Sequence, residues 1–200
     1  MELIRGQYNL RPWHHGCVAT IGNFDGMHLG HRVILDQLTK QTAHFRLPRM
    51  VITFEPQPQE FFAGPSASPA RLMRLREKLL ALDKLGIERV LCLKFDHRLA
   101  AMPASDFIDE LLVNRLGIRY LVVGDDFHFG HRRAGDVTML VEAGQRHGFE
   151  VVDTHSYVLD DQRVSSTRTR EALAQGDLET AAQMLGRPYD MYGRVAHGDR

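Results

Sequence analysis

The sequence predicts an α/β fold, a parallel sheet with helices on both faces. Three observations lead there. From Cys17 onward, short and nearly continuous apolar runs alternate with segments of helical spacing. Strands buried on both faces read as such unbroken runs, whereas strands with one wet face alternate apolar and polar residues. The polar residues gather just behind the runs, where open α/β sheets place their ligands. A chain of 200 residues can also bury one full core without disulfides or other staples.

The elements follow in order. The run "CVATIG" is the first strand, and Leu29, Val33, Ile34 and Leu38 keep helical spacing behind it. "RMVITFE" closes this first βαβ unit. A long helix is expected around Leu72, Leu75, Leu79 and Leu82, ending at Gly86, and "RVLCLKF" is the strand after it. Phe107, Ile108, Leu111 and Leu112 mark the next helix and "YLVVG" the next strand. A helix over Val137 to Arg146 and the strand "FEVVD" complete a fourth round. Near the end, "STRTREALAQGDLETAAQMLGRPY" predicts two short helices, Gly176 closing one and Asp177 capping the next. "PSASPA" is a loop too short to link domains, and beyond Pro188 the helical periodicity stops.

Composition excludes several function classes. Lys+Arg and Asp+Glu both number 25, so no net field holds a nucleic acid or an anionic membrane by counterion release. Any charged ligand must be gripped locally. Cys17 and Cys92 lie inside apolar runs and read as buried, reduced thiols. The N-terminus lacks a basic segment followed by an apolar run, and no stretch approaches the roughly 20 apolar residues of a membrane span. A cytoplasmic location is expected.

The polar clusters are "GNFDGMHLGH", "EPQPQEFF", "DHR" and "GDDFHFGHRRAGD", one behind each of four strands. The first carries the chemistry. A helix N-terminus offers unpaired N–H groups and partial positive charge, and Gly22, Gly26 and Gly30 let an anion come close. In a helix beginning near Met27, His28 and His31 stand at i and i+3 on one face of the first turn. Two imidazoles and backbone amides about one phosphorus would stabilise the charge of a pentacoordinate centre. No Cys, Asp or Glu completes a zinc set with these histidines, although Asp25 could meet a magnesium ion through water. The dinucleotide fingerprint G-x-G-x-x-G is absent, as is the G-K-[ST] of a Walker loop.

"GNFDGMHLGH" resembles the HxGH motif of the nucleotidylyltransferase superfamily, and "VSSTRTR" at Val164 to Arg170 resembles its second signature, ISSTxxR. With "FEPQPQEFF", "RLMRLREKL" and "VGDDFHFGHRRAGD", the chain is similar to the FMN adenylyltransferase domain of prokaryotic bifunctional riboflavin kinase/FAD synthetase. The resemblance implies a Rossmann-like nucleotidylyltransferase fold over residues 1–187. Residues 188–200 would be a linker and the first strand of a riboflavin kinase domain, joined in cis in full-length members. It also implies transfer of AMP from ATP to FMN, giving FAD and pyrophosphate, with Mg2+ carried on the ATP phosphates.

By that resemblance His28, His31, Asn23 and Arg168 are catalytic, with Arg168 clamping the leaving pyrophosphate. Gly22, Phe24, Asp25, Gly26, Gly30, Ser165, Ser166, Thr167 and Arg170 would hold ATP and its phosphates. Phe54, Pro56, Pro58, Phe62, Asp125, Asp126, Phe127, Phe129 and Arg133 would form the flavin slot, Arg133 meeting the FMN phosphate. Two other readings stand beside this one: a flavin or nucleotide carrier without turnover, and an adenylyltransferase for a different phosphorylated acceptor.

Overall fold

The structure is a computed structural model that describes residues 1–64, 67–159, 161–193 and 198. Six strands form its centre: β1 (Glu2–Arg5), β2 (Cys17–Ile21), β3 (Arg49–Glu55), β4 (Arg89–Lys94), β5 (Ile118–Gly124) and β6 (Glu150–Thr154). They lie in the order β1-β4-β3-β2-β5-β6, and every neighbouring pair is parallel. The expected fold class is therefore the observed one. Alternate residues of the strands feed two separate cores. Ala19, Ile21, Ile52, Leu91 and Leu121 pack on one face with Leu111, Leu112 and Leu140. Val18, Val51, Val90 and Val122 pack on the other with Leu35, Leu38 and Leu82.

The helices that cover these faces are α1 (Leu29–Phe45), α2 (Pro58–Ala63), α3 (Leu75–Lys84), α4 (His97–Ala100), α5 (Ala104–Asp106), α6 (Val137–His147), α7 (Ser166–Ala174) and α8 (Leu178–Leu185). A π-helical segment (Phe107–Arg115) continues α5, and a small antiparallel hairpin joins β7 (Val158–Leu159) to β8 (Gln162–Arg163). Asp177 caps α8 by accepting from the Thr180 N–H at 3.0 Å, as its sequence position predicts.

Three features differ from the sequence reading. Strand β1 was not expected, because in its four residues only Ile4 is buried, too little for an apolar run. Helix α3 begins at Leu75 rather than near Leu72. The N–H groups of Leu72 and Met73 are instead given to the Asp25 carboxylate, at 3.2 and 3.1 Å. Helix α1 begins at Leu29 rather than Met27, with His28 as its N-cap. The chain beyond Leu185 forms no further helix or strand up to Gly193. The kinase strand expected within 188–200 falls mainly on 194–197, outside the described residues.

Strand connections run outward in opposite directions from β2 and β5, so the switch point lies between these two strands. The site opens above their carboxyl ends.

Candidate active site

The turn between β2 and α1 is tightly wound. Phe24, Gly26 and Met27 all have positive φ, at 49°, 79° and 48°. Two non-glycine residues in this region cost on the order of 1–3 kcal/mol each, so the surroundings must hold them. Asp25 does this. It is 2% exposed, and beside the two N–H groups before α3 its carboxylate accepts from Arg170 Nη2 on α7 at 2.5 Å. Ser166 Oγ donates to the Asp25 carbonyl at 2.9 Å. One buried carboxylate thus ties the turn to α7 and to the approach of α3. Asp25 is engaged in this junction, and the sequence-based expectation that it meets magnesium through water gains no support from its partners. Gly26 also serves the junction, because a Cβ there would lie 2.8 Å from Leu72 Cδ1.

The histidines form a stacked pair, ring centroids 3.6 Å apart and planes 18° from parallel. His28 Nδ1 accepts the His31 N–H at 3.3 Å, so the neutral His28 ring carries its proton on Nε2. Burial pushes the His28 pKa down to about 4, aided by the positive charges of Arg163 and Arg170. Burial, His28 and Lys78 push His31 well below its ordinary value. Both rings are neutral donors at neutral pH. Gly30 makes room for the pair: a Cβ there would sit 3.2 Å from His28 Nδ1. Phe24 closes the stack from behind, its centroid 5.0 Å from that of His31.

The opposite wall is the start of α7. Ser165 Oγ caps that helix by accepting the Arg168 N–H at 3.2 Å. Between the two helix starts lies a cleft of about 270 Å³, lined among others by Asn23, His31, Asp126, Tyr157, Arg163 and Ser165. It brings together eleven residues singled out in the sequence: Gly22, Asn23, Phe24, His28, Gly30, His31, Asp125, Asp126, Phe127, Ser165 and Ser166. Two amino-terminal helix ends and two neutral imidazoles facing one cleft make a site for a polyanion.

Arg163 was missed by the sequence reading. It pairs with Asp126 at 2.8 Å and Asp125 at 3.6 Å, while Ser156 Oγ donates to Asp125 at 2.9 Å. Those bonds and the Arg163 charge hold the Asp125 carboxyl below its ordinary value against the opposing effect of burial. A basic residue beside the "VSSTRTR" stretch was the available signal, but its carboxylate partners are remote in sequence.

Other predicted residues lie elsewhere. Arg168 Nη1 donates to the Arg163 carbonyl at 3.1 Å, and Arg170 is engaged with Asp25. Neither lines the cleft, nor does Thr167. Phe54 packs in the core against Phe95, and Phe129 stacks on Phe127 at 5.6 Å and packs on Phe107. Pro56 follows a cis peptide bond and Pro58 opens α2. Phe62 is 71% exposed and borders a shallow groove with His97 and Arg132. Arg133 lies exposed in a short turn. A separate cavity of about 370 Å³ lies at the carboxyl ends of β1 and β4, lined by Tyr8, Glu55, Cys92, Leu99 and Met102 among others. Among the described residues no cluster of three His, Cys, Asp or Glu could hold a metal ion.

A family model described as FAD synthetase matches residues 10–168. The bifunctional riboflavin kinase/FMN adenylyltransferase of Pseudomonas fluorescens is 50% identical over all 200 residues, which cover 64% of that relative. The protein of the same name from Escherichia coli K12 is also 50% identical with 64% covered, and that of Haemophilus influenzae 48% with 65% covered. The chain therefore spans about two thirds of the length of these relatives, or slightly less. A crystal structure titled as a macrolide-efflux protein from Streptococcus pneumoniae superposes with a TM-score of 0.83 at 25% identity, covering 99% of this chain and 65% of that one. Among the described residues no helix is long and apolar enough to cross a membrane.

Proposed function

The chain belongs to the FAD synthetase family, and from that premise we propose that its cleft transfers the adenylyl group of ATP to FMN. An oxygen of the FMN phosphate attacks the α-phosphorus of ATP, the bond to the β-phosphate oxygen breaks, and pyrophosphate leaves as FAD forms. The observation that carries this reading is the stacked pair of neutral histidines at the start of α1, His28 with its proton on Nε2, facing the start of α7 across one cleft. The acceptor is already an anion, so the reaction needs no base and no covalent enzyme intermediate. It needs positioning and donors that stay in place while charge builds on the phosphorus-bound oxygens.

In this reading His28, His31 and Asn23 donate to the α-phosphate and to the transition state. Ser165, Ser166 and the first amides of α7 receive the β- and γ-phosphates, and Arg168 swings from the Arg163 carbonyl to the leaving pyrophosphate. The segments bearing Pro56, Pro58 and Phe62 on one side and Asp125 to Phe129 on the other hold the flavin. Magnesium arrives with ATP as part of the substrate. Reaction in the cytoplasm, and a riboflavin kinase joined in cis in a longer form of the protein, complete the proposal.

The experiment is direct. The chain is incubated with ATP, magnesium and FMN, the flavins are separated, and pyrophosphate is assayed. FAD and pyrophosphate in equal amounts are the expected result. FMN bound without FAD would replace this reading with that of a carrier, and faster turnover with another phosphorylated acceptor would change the substrate.

A further inference from the structure

One short segment, Ala70 to Met73, joins the Asp25 junction beside the cleft to helix α2. Its junction end is fixed. Leu72 and Met73 give their N–H groups to the Asp25 carboxylate at 3.2 and 3.1 Å, Arg170 Nε donates to the Ala70 carbonyl at 2.6 Å, and the Leu72 and Met73 side chains are buried. From this platform Arg71 reaches the other way. Its guanidinium forks onto two carboxylates, donating to Glu55 at 3.1 and 2.5 Å and to Glu60 through Nη2 at 2.6 Å and through Nε. Both pairs are bidentate, the geometry in which guanidinium–carboxylate bonds are strong and directional.

The clamp holds α2 in place. Glu55 ends β3, and Glu60 lies in α2, where its carboxylate also accepts the Gln57 N–H at 2.9 Å. None of the six residues of α2 is buried, and a helix of that length does not persist on its own hydrogen bonds. It has two anchors. Phe61 rests on Phe95 and His97, with ring centroids 5.3 and 4.9 Å apart, and Arg71 grips Glu60. With the first anchor alone the helix could pivot about Phe61, and Phe62 would swing with it. Phe62 is 71% exposed and touches Phe61 and Phe95 only by ring edges, so its place beside the groove depends on the helix that carries it.

We propose that Arg71 is a positioning residue for the flavin acceptor: its clamp on Glu55 and Glu60 sets α2 against the platform at Asp25 and so presents Phe62 as a preformed wall of the flavin slot. The inference rests on the reading of α2 as part of that slot. A wall in place before FMN arrives binds it without the cost of ordering. A helix correctly placed only one tenth of the time would raise the dissociation constant about tenfold. The ATP phosphates are received by α1 and α7, so the effect belongs to FMN.

Arg71→Met and Arg71→Lys are compared with the wild type in the full chain. Hydrogen exchange of the α2 amides in the ligand-free chain reads the clamp, and FMN fluorescence titration with the KM values for FMN and ATP reads the acceptor. In Arg71→Met, α2 exchange should rise about tenfold or more while α6 stays unchanged. The Kd and KM for FMN should rise by a similar factor, with the KM for ATP and the turnover at saturating FMN within about twofold of wild type. Arg71→Lys cannot fork onto two carboxylates and should fall between the two. Glu60→Gln, which keeps an oxygen for the Gln57 N–H and gives up the charge, serves if thermal melting shows Arg71→Met unfolded. Unaltered α2 exchange in a folded variant, an unaltered Kd for FMN, or equal rises in both KM values overturns the proposal. A wild type that binds FMN without making FAD would sink the function and leave the Kd to judge Arg71, whereas one that binds no FMN overturns both.

Discussion

His28 holds two roles that can be separated by substitution, because it caps α1 through Nδ1 and offers Nε2–H to the cleft. Replacing it with Ala removes both, and with Asn keeps a capping oxygen while withdrawing the imidazole donor. Turnover should drop about 10²- to 10³-fold in both variants, the usual loss for one preorganised donor. Only His28→Ala should also lose about 1 kcal/mol of stability in urea unfolding. Equal stability in the two variants would show that the capping bond contributes nothing. The ring also links stability to pH. Its pKa is about 4 in the folded chain against 6.5 for the free group, so folding disfavours the charged form. The stability tied to the neutral ring is fully present above pH 6.5 and is lost as pH falls toward 4, by about 3 kcal/mol over that window. Urea unfolding at pH 7.5 and 4.5 should show this fall in the wild type, and a correspondingly smaller one in His28→Asn.

Asp25 acts between elements, since its carboxylate joins the β2–α1 turn to α7 and to the approach of α3. Asp25→Asn keeps the volume but leaves Arg170 without its counter-charge and one backbone N–H without an acceptor. A cost of about 3–5 kcal/mol is expected in urea unfolding. Removing Arg170 as well, as Leu, should recover part of it, giving a coupling of about 0.5–3 kcal/mol. Strictly additive losses would mean that the pair does not act as a unit. This junction also shows where sequence reading stops. The two signature segments and their order were legible, because each lies at a helix start whose glycines and hydroxyls have local reasons to be there. The bond between the segments was not. Asp25 reads as an exposed loop carboxylate until the chain brings Arg170 within 2.5 Å from 145 positions away, and Arg163 gains meaning only from Asp125 and Asp126. Such pairings leave no periodicity to detect.

The whole molecule was the most legible scale, since unbroken apolar runs and helical spacing specify a parallel sheet with little help from side-chain detail. Strand β1 escaped because an edge strand with one buried side chain carries almost no hydrophobic signal. The architecture also determines which phosphoryl chemistry the cleft can support. The longer relatives are named for two reactions, and this chain covers 64% of the Pseudomonas fluorescens protein. Making FMN from riboflavin requires a hydroxyl to attack the γ-phosphorus, and a hydroxyl must lose its proton to a base. His28 and the two aspartates of the cleft are poorly placed to act as bases. His28 presents Nε2–H, its Nδ1 being occupied by the His31 N–H, and Asp125 and Asp126 are tied to Arg163 and Ser156. A phosphate acceptor arrives ionised and meets the donors of the two helix starts, which suits adenylyl transfer better than riboflavin phosphorylation. With ATP and magnesium, these 200 residues should therefore convert FMN to FAD while leaving riboflavin unchanged, as separation of the three flavins would show. FMN accumulating from riboflavin would mean that a base faces the cleft, and the assignment of both histidines as neutral donors would fall with it.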